Sequence, residues 1–392
     1  MKKIFSFLFV LTVLLSLCGC QNLNNYVSTG IEFSKNSVFL LTQDFLAETE
    51  DDKVNIYMAD SKTEKAELYD SIDGEYEISD FRDDVLLLQN EKSLIAYNLS
   101  LKKSVNVYSQ IFSTENSDNI YRYQAFFGKR SNDLIVKKIV YNSSLPIYVN
   151  EVQAGFEVSS ETGIYFYDFS DGKADFKKKI TLEDLKIDIK AEEGINISAV
   201  SMPNGDTAVM VKVNPVGVPF YSEYYYKITS DFSVLKIGEA PITESQDISI
   251  QQSFSDKRYI KASEKRVVCV DFENEEIYRF EHENIQNVKG VDILDVPDTN
   301  YFFVNLGTAS GDLLFKYKIV KESLNCEEGN SEMLAVASTI QNGFARGNRL
   351  YFPADAEARK YGTMFVNGTT YRSYADKGYL CDSDGKTVVI FE

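Results

Sequence analysis

The sequence contains no tryptophan and only one histidine among its 392 residues, together with five cysteines. Acyl transfer by serine or cysteine with an imidazole base needs a histidine beside the nucleophile, and common zinc sites need clustered cysteine and histidine. The histidine, His282, stands in the polar segment 281–284 after a strand-like run, where we expect a solvated turn. We therefore predict no catalytic histidine, no metal site and no cofactor.

Positive charge is also scarce: 41 Lys and Arg stand against 59 Asp and Glu, which gives a formal net charge of −18. A body of this charge repels phosphate backbones, so we expect no nucleic-acid partner. Anionic lipid headgroups would repel it as well. Attachment to a membrane would therefore require an apolar anchor.

The N-terminal apolar run, residues 4–17, is too short to span a bilayer, which needs about 20 apolar residues. It follows Lys2 and Lys3, and this order is typical of a secretory signal. The run ends in Leu17-Cys18-Gly19-Cys20, which resembles the lipobox of bacterial lipoproteins, although Cys18 replaces the usual alanine or serine.

This resemblance implies that the thiol of Cys20 carries a diacylglyceryl group and that the signal is cut just before it. The chain then divides into a signal peptide (1–19), a polar lipidated tether (20–30) and a body (31–392). The mature protein would be extracytoplasmic and held at the membrane by its lipid, at the outer membrane if the host is Gram-negative.

Cysteines 269, 326 and 381 remain after Cys20. Their odd number and wide spacing do not predict a disulfide framework, although one disulfide among them stays open. Cys269 lies in the apolar run Val267–Val270, where we expect it to be a small buried hydrophobe.

Helical periodicity is rare, and the fair candidate is the short stretch Leu182–Lys190. Strand-like runs of five to eight residues recur instead, separated by polar turns, and they predict an all-β body. One unit, an aromatic strand followed by a turn and a second strand, returns along the chain. Its marker residues are Tyr57, Tyr97, Tyr167, Tyr226, Val270, Tyr317 and Phe365.

The markers are 40, 70, 59, 44, 47 and 48 residues apart, and two further strands generally precede each. A period of about 40–50 residues with four strands per repeat is typical of a propeller blade. The body resembles a β-propeller of about seven four-stranded blades, with six or eight as alternative counts. A β-helix or a pair of β-sandwiches is the competing architecture.

Extra residues fall mainly between second and third strands, in segments 142–159, 214–222 and 353–360. In propellers this connection lies on the usual ligand face. The second segment is a stiff apolar loop, which marks a partner site or folds back on its own blade. The candidate binding residues there are Pro215, Val216, Val218, Phe220 and Tyr221. The last hairpin, 378–392, is predicted to pair with the N-terminal strand at 31–41.

The leading functional hypothesis is a non-catalytic surface lipoprotein that presents its loop face to an envelope protein or an extracellular ligand. The alternative is an extracytoplasmic enzyme that acts on a carbohydrate or peptide through carboxylates in the propeller channel.

Overall fold

The computed structural model describes the chain in segments. They are residues 38–40, 45–49, 52–60, 65–112, 119–130, 132–149, 151–190, 193–215, 221–241, 250–255, 257–282, 285, 287–295, 300–308, 311–328, 344–346, 349–352, 361–366, 369–374, 379–382 and 387–390. These residues form seven antiparallel sheets and one short helix, α1 (Tyr108–Ile111). The fold is an all-β propeller, as the repeat predicted. Among the described residues, no helix has the length and apolar character to cross a membrane.

The strands are β1 Val38–Leu40, β2 Phe45–Thr49, β3 Lys53–Asp60, β4 Lys65–Asp73, β5 Glu77–Arg82, β6 Val85–Asn90, β7 Ser93–Asn98, β8 Lys103–Asn106, β9 Asn119–Phe127, β10 Asp133–Val149, β11 Val152–Val158, β12 Gly163–Ser170, β13 Lys173–Thr181, β14 Glu193–Ser201, β15 Thr207–Pro215, β16 Ser222–Ile228, β17 Val234–Pro241, β18 Ile250–Phe254, β19 Arg258–Ser263, β20 Arg266–Asp271, β21 Glu276–Glu281, β22 Val288–Asp295, β23 Tyr301–Thr308, β24 Gly311–Val320, β25 Ser323–Glu328, β26 Phe344–Arg346, β27 Arg349–Phe352, β28 Tyr361–Val366, β29 Thr369–Tyr374, β30 Tyr379–Asp382 and β31 Thr387–Ile390.

One compact unit, Glu75–Ala337, contains five sheets in chain order. We name them sheet B (β5–β8), sheet C (β9–β13), sheet D (β14–β17), sheet E (β18–β21) and sheet F (β22–β25). In sheets B, D, E and F each strand pairs with the next, so the third and fourth strands form the hairpins that the aromatic repeat predicted.

Consecutive sheets of this unit pack face to face through separate apolar clusters. One cluster joins sheets B and C, the next joins C and D, another joins D and E, and the last joins E and F. Central strands are therefore buried on both faces, as in β20, where five of six residues are buried. In the absence of tryptophan, tyrosine and phenylalanine provide the bulk, and Tyr225, Tyr259, Tyr317 and Phe302 are almost completely buried.

Strand β10 is the longest strand, with 17 residues, and it extends beyond its own sheet. Its first part pairs with β9 and with β12, whereas Tyr141 to Val149 pair with β11. The insertion predicted at 142–159 is therefore a hairpin, made by the end of β10 and by β11, between the second and third strands that run through sheet C.

The second unit, Met1–Gly74 with Ser338–Glu392, contains two sheets. Sheet A has the order β26-β27-β1-β2-β3-β4, and sheet G has the order β28-β29-β30-β31. The N-terminal strand β1 pairs with β27, with Leu40 opposite Leu350 and Val38 opposite Phe352.

Two local predictions were wrong. The last hairpin, β30–β31, pairs within sheet G rather than with the N-terminal strand, whose C-terminal partner comes from Arg349–Phe352. Segment 353–360 lies outside the described residues, and the described strands on either side of it, β27 and β28, belong to sheets A and G. The stretch Leu182–Lys190 forms turns, where Asp184 accepts a hydrogen bond of 2.7 Å from the Thr181 N–H. The apolar residues of this short stretch, Leu182, Leu185 and Ile187, do not form a helix face; they are buried in the cluster between sheets C and D.

Candidate functional site

The hairpin made by the end of β10 and by β11 carries exposed apolar side chains. Leu145 is 45% exposed, Tyr148 61% and Val152 68%. Both β10 and β11 contact β14, the first strand of the neighbouring sheet D. An exposed apolar set on a projecting hairpin is typical of a surface that binds a partner.

The predicted apolar loop follows β15 at the end of sheet D where β14 begins. Pro215 closes β15, opposite Glu193 of β14, and Tyr221 is half-buried just before β16. The remaining candidates of this loop, Val216, Val218 and Phe220, lie outside the described residues, as does Cys20. Tyr221, in contrast, belongs to a polar cluster that the sequence did not predict.

At the base of this loop, polar side chains from sheets D and E surround the carboxylate of Glu223, whose side chain is completely buried. Tyr225 donates a hydrogen bond of 2.7 Å to its Oε2, and Tyr259 donates one of 2.9 Å to its Oε1. We call this group the Glu223 cluster, and its members are Glu223, Lys212, Lys261, Tyr221, Tyr225, Tyr259 and Gln252.

Two lysines approach the same carboxylate from different sheets. Lys212 of β15 places Nζ 3.5 Å from Oε1, and Lys261 of β19 places Nζ 3.5 Å from Oε2. The ring of Tyr221 lies near both, with its centroid 4.9 Å from Lys212 Nζ and 5.0 Å from Lys261 Nζ. Gln252 of β18 donates to the Tyr221 hydroxyl at 3.0 Å and accepts from Lys212. The ring face attracts both ammonium groups.

Burial changes the acid–base properties of the cluster. Desolvation lowers the pKa of Lys212 and of Lys261, although the charge of Glu223 opposes this change. Desolvation together with the negative charge of Glu223 raises the pKa of Tyr221 to about 12 and the pKa of Tyr225 and Tyr259 further. At neutral pH the tyrosines are therefore hydrogen-bond donors.

At the opposite end of the strands, a cavity of about 590 Å³ opens between sheets E and F. Acidic and basic side chains line it together, among them Lys257, Asp271, Glu276 and Lys321. Asp271 already holds the β20–β21 turn, because its Oδ1 accepts the N–H groups of residues 273 and 274 at 3.0 Å each. Several carboxylates therefore line this cavity, but Asp271 stabilises the β20–β21 turn.

His282 is not the solvated turn that the sequence predicted. It is half-buried against Phe280 and Phe315, and its Nε2 shares a hydrogen bond of 2.8 Å with the Tyr317 hydroxyl. Desolvation lowers its pKa below the ordinary histidine value of 6.5, so the ring is neutral at pH 7. The error arose because residues 281–284 are polar in sequence, whereas the packing partners of His282 come from β21 and β24.

The described cysteines are free thiols. Cys269 is buried, as predicted, and burial raises its pKa; Cys326 is half-buried beside the hydroxyl of Tyr317. The side chain of Cys381 lies outside the described residues. Within the described part of the chain, no group of three or more His, Cys, Asp or Glu side chains could hold a metal ion.

No protein-family model matches this chain, and no curated protein matches it in sequence. Among solved structures, it is similar to the WD40 domain of SCAP from fission yeast, with a TM-score of 0.40 and 10% identity over 80% of this chain and 77% of that chain. It is also similar to Porphyromonas gingivalis dipeptidyl peptidase 4, with a TM-score of 0.42 and 11% identity over 89% of this chain and 51% of that chain.

A third similar structure is AztD from Citrobacter koseri, with a TM-score of 0.38 and 10% identity over 90% of this chain and 84% of that chain.

Two features of the sequence point to the Glu223 cluster. Glu223 opens a run of three tyrosines in β16, and Lys261 interrupts the apolar strand β19. A charged residue inside a strand that is otherwise buried on both faces needs a partner, because an unpaired buried charge costs several kcal/mol, on the order of 3–5.

Proposed function

We propose that this protein is a lipoprotein, anchored outside the cytoplasmic membrane through Cys20, which acts as a non-catalytic binding module for another protein of the cell envelope. The lipobox residues 17–20 support the anchor. The net charge of −18 supports an acyl chain rather than a basic surface as the element that holds the protein at the membrane.

The projecting hairpin is the observation that carries the binding role. A hairpin that served only as a connection would be polar at its exposed positions, yet this one exposes Leu145, Tyr148 and Val152. Burial of a large apolar side chain contributes roughly 1.5–3 kcal/mol, and tyrosine is enriched among the residues that dominate protein interfaces. The hairpin therefore has the composition of an interface centre.

The experiment is site-specific photo-crosslinking in intact cells, with the crosslinker at position 145, which lies on the hairpin. The wild type is compared with the double variant Tyr148→Ser, Val152→Ser and with Leu101→Ser as the matched control. Leu101 is 66% exposed but lies in the β7–β8 turn, away from the hairpin. We expect one defined crosslinked protein with the wild type and the control, and its loss with the double variant.

A membrane fractionation of Cys20→Ala tests the anchor separately. This variant should leave the membrane fraction, or remain as uncleaved precursor, because it lacks the thiol that receives the lipid. If the crosslinked partner persists in the double hairpin variant, the hairpin is not the interface. If no protein crosslinks in any variant, the binding role is wrong, and a screen of glycan and peptide substrates tests the enzymatic alternative.

A further inference from the structure

The Glu223 cluster combines two ammonium groups with one carboxylate, so it retains one excess positive charge in a protein whose net charge is −18. The side chains of Lys212 and Lys261 are 17% and 15% exposed, whereas Glu223 is completely buried. Arg266 lies close enough to lower the pKa of Lys261 further. The two lysine side chains are therefore partly accessible to solvent, whereas the acid that they share is not.

The lysines also have hydrogen-bonding capacity left over. An ammonium group has three N–H donors. The described residues give Lys261 one polar partner, Glu223 at 3.5 Å, and give Lys212 two, Glu223 and Gln252. Contacts of 3.5 Å are at the long limit for hydrogen bonds, so Glu223 holds the two lysines in place without saturating them. Each ammonium group therefore keeps at least one N–H that no described polar group accepts.

We propose that Lys212, Lys261 and Tyr221 bind a single carboxylate group of an external ligand, either a free monocarboxylic acid or the C-terminus of a polypeptide. A carboxylate compensates the one excess charge and accepts hydrogen bonds from both ammonium groups. A dianion such as phosphate or sulfate would overcompensate the charge and meet repulsion from Glu223. This inference does not depend on the hairpin interface, because a free acid satisfies it.

The residues around the carboxylate position have distinct roles. Tyr225 and Tyr259 donate to Glu223 and keep its negative charge in the buried layer. The ring of Tyr221 contacts both ammonium groups, and Gln252 orients both the Tyr221 hydroxyl and Lys212. These contacts preorganise the lysines before a ligand arrives, which reduces the entropic cost of binding.

The test is a titration of the purified full-length protein in detergent, followed by calorimetry and by thermal unfolding. The probes are propionate, sulfate, chloride at matched ionic strength, and a short N-acetylated alanine peptide with either a free or an amidated C-terminus. We expect propionate or the free-acid peptide to bind and to raise the unfolding temperature, with no comparable effect of sulfate or of the amidated peptide. Binding of propionate identifies a free acid as sufficient, and binding of the peptide alone identifies a polypeptide C-terminus.

Variants then locate the site. Lys212→Met and Lys261→Met should each weaken carboxylate binding at least ten-fold, whereas Lys236→Met should bind as the wild type does. Lys236 is the matched control, because it also contacts a tyrosine ring and an acid but is exposed. Glu223→Gln removes the internal competitor and should bind the carboxylate more tightly than the wild type.

Three outcomes would overturn the proposal. The first is that no carboxylate probe binds, in which case the cluster only joins sheets D and E. The second is that sulfate binds as well as the carboxylates do, which indicates a general effect of anions. The third is that both single lysine variants bind with wild-type affinity. Because the lysine variants keep Glu223 and its tyrosine partners, the test stands even if Glu223→Gln does not fold.

Discussion

The ion pair between Arg258 and Asp295 connects sheets E and F, and it allows a quantitative test of how the sheets are held together. Arg258 of β19 donates from Nε and from Nη2 to Asp295 Oδ1, at 2.5 Å each, and Nη2 also donates to the Tyr301 carbonyl oxygen at 2.9 Å. The two charged side chains are only 5% and 7% exposed. Each charge is therefore desolvated and depends on the other.

Removal of one partner leaves the other charge buried, which costs about 3–5 kcal/mol. We expect Arg258→Met and Asp295→Leu each to lower the free energy of unfolding by about that amount. The double variant replaces both charges by apolar groups, so its cost should be about 0–2 kcal/mol, most of it from the Tyr301 carbonyl oxygen that loses its donor. The coupling energy between the two positions should then exceed about 3 kcal/mol.

The assay is urea unfolding, followed by circular dichroism and by tyrosine fluorescence, which the absence of tryptophan leaves unobscured. The matched control is the exposed pair Lys236 and Glu239, whose side chains are 48% and 55% exposed. Variants of that pair should change stability by less than about 1 kcal/mol. The pair does not hold the two sheets together if the losses of unfolding free energy in the two single variants simply add up in the double variant. The same conclusion follows if each single variant loses as little unfolding free energy as the control variants do.

Two further predictions concern His282 and Gly163. Burial lowers the pKa of His282, so this histidine binds a proton more readily in the unfolded chain than in the folded protein. The free energy of unfolding should therefore fall as pH drops from 6.5 towards that lowered pKa. Urea curves at pH 7 and pH 5 should show a smaller fall for His282→Gln, and equal falls would contradict this. Gly163→Ala should lower stability by about 1–3 kcal/mol, because its Cβ would lie 2.2 Å from the Ile180 carbonyl oxygen. Gly155→Ala, with open space around it, should unfold like the wild type, and a similar loss in both would refute the steric reason.

Hairpins were predictable from the sequence because their two strands are adjacent in the chain and both show alternating apolar and polar residues. The units around Tyr97, Tyr167, Tyr226 and Tyr317 all lie in the third strands of their sheets, as the repeat indicated. The marker at Phe365 is different, because it lies in the first strand of sheet G. Pairing between distant segments does not follow from alternation, and this is why the partner of β1 was predicted wrongly.

The two candidate sites also differ in how far the sequence predicts them. The insertion at 142–159 was visible as extra length, although its exposed side chains required the structure. The Glu223 cluster was not predicted, since Lys212 and Lys261 are 49 residues apart and belong to different sheets. Their strands were foreseeable, but the meeting of their side chains on one carboxylate depends on how the two sheets pack.

The sequence by itself determined the all-β class, the repeat and the hairpins, because each depends on local alternation and turn chemistry. It also determines the export signal that we propose, since the motif that carries it is continuous in the chain. Only the tertiary structure decided the surroundings of His282, the partner of Arg258 and the charge balance around Glu223. These depend on faces of separate sheets that approach each other when the apolar clusters form, and in that desolvated space an ion pair or a lone charge has its largest effect.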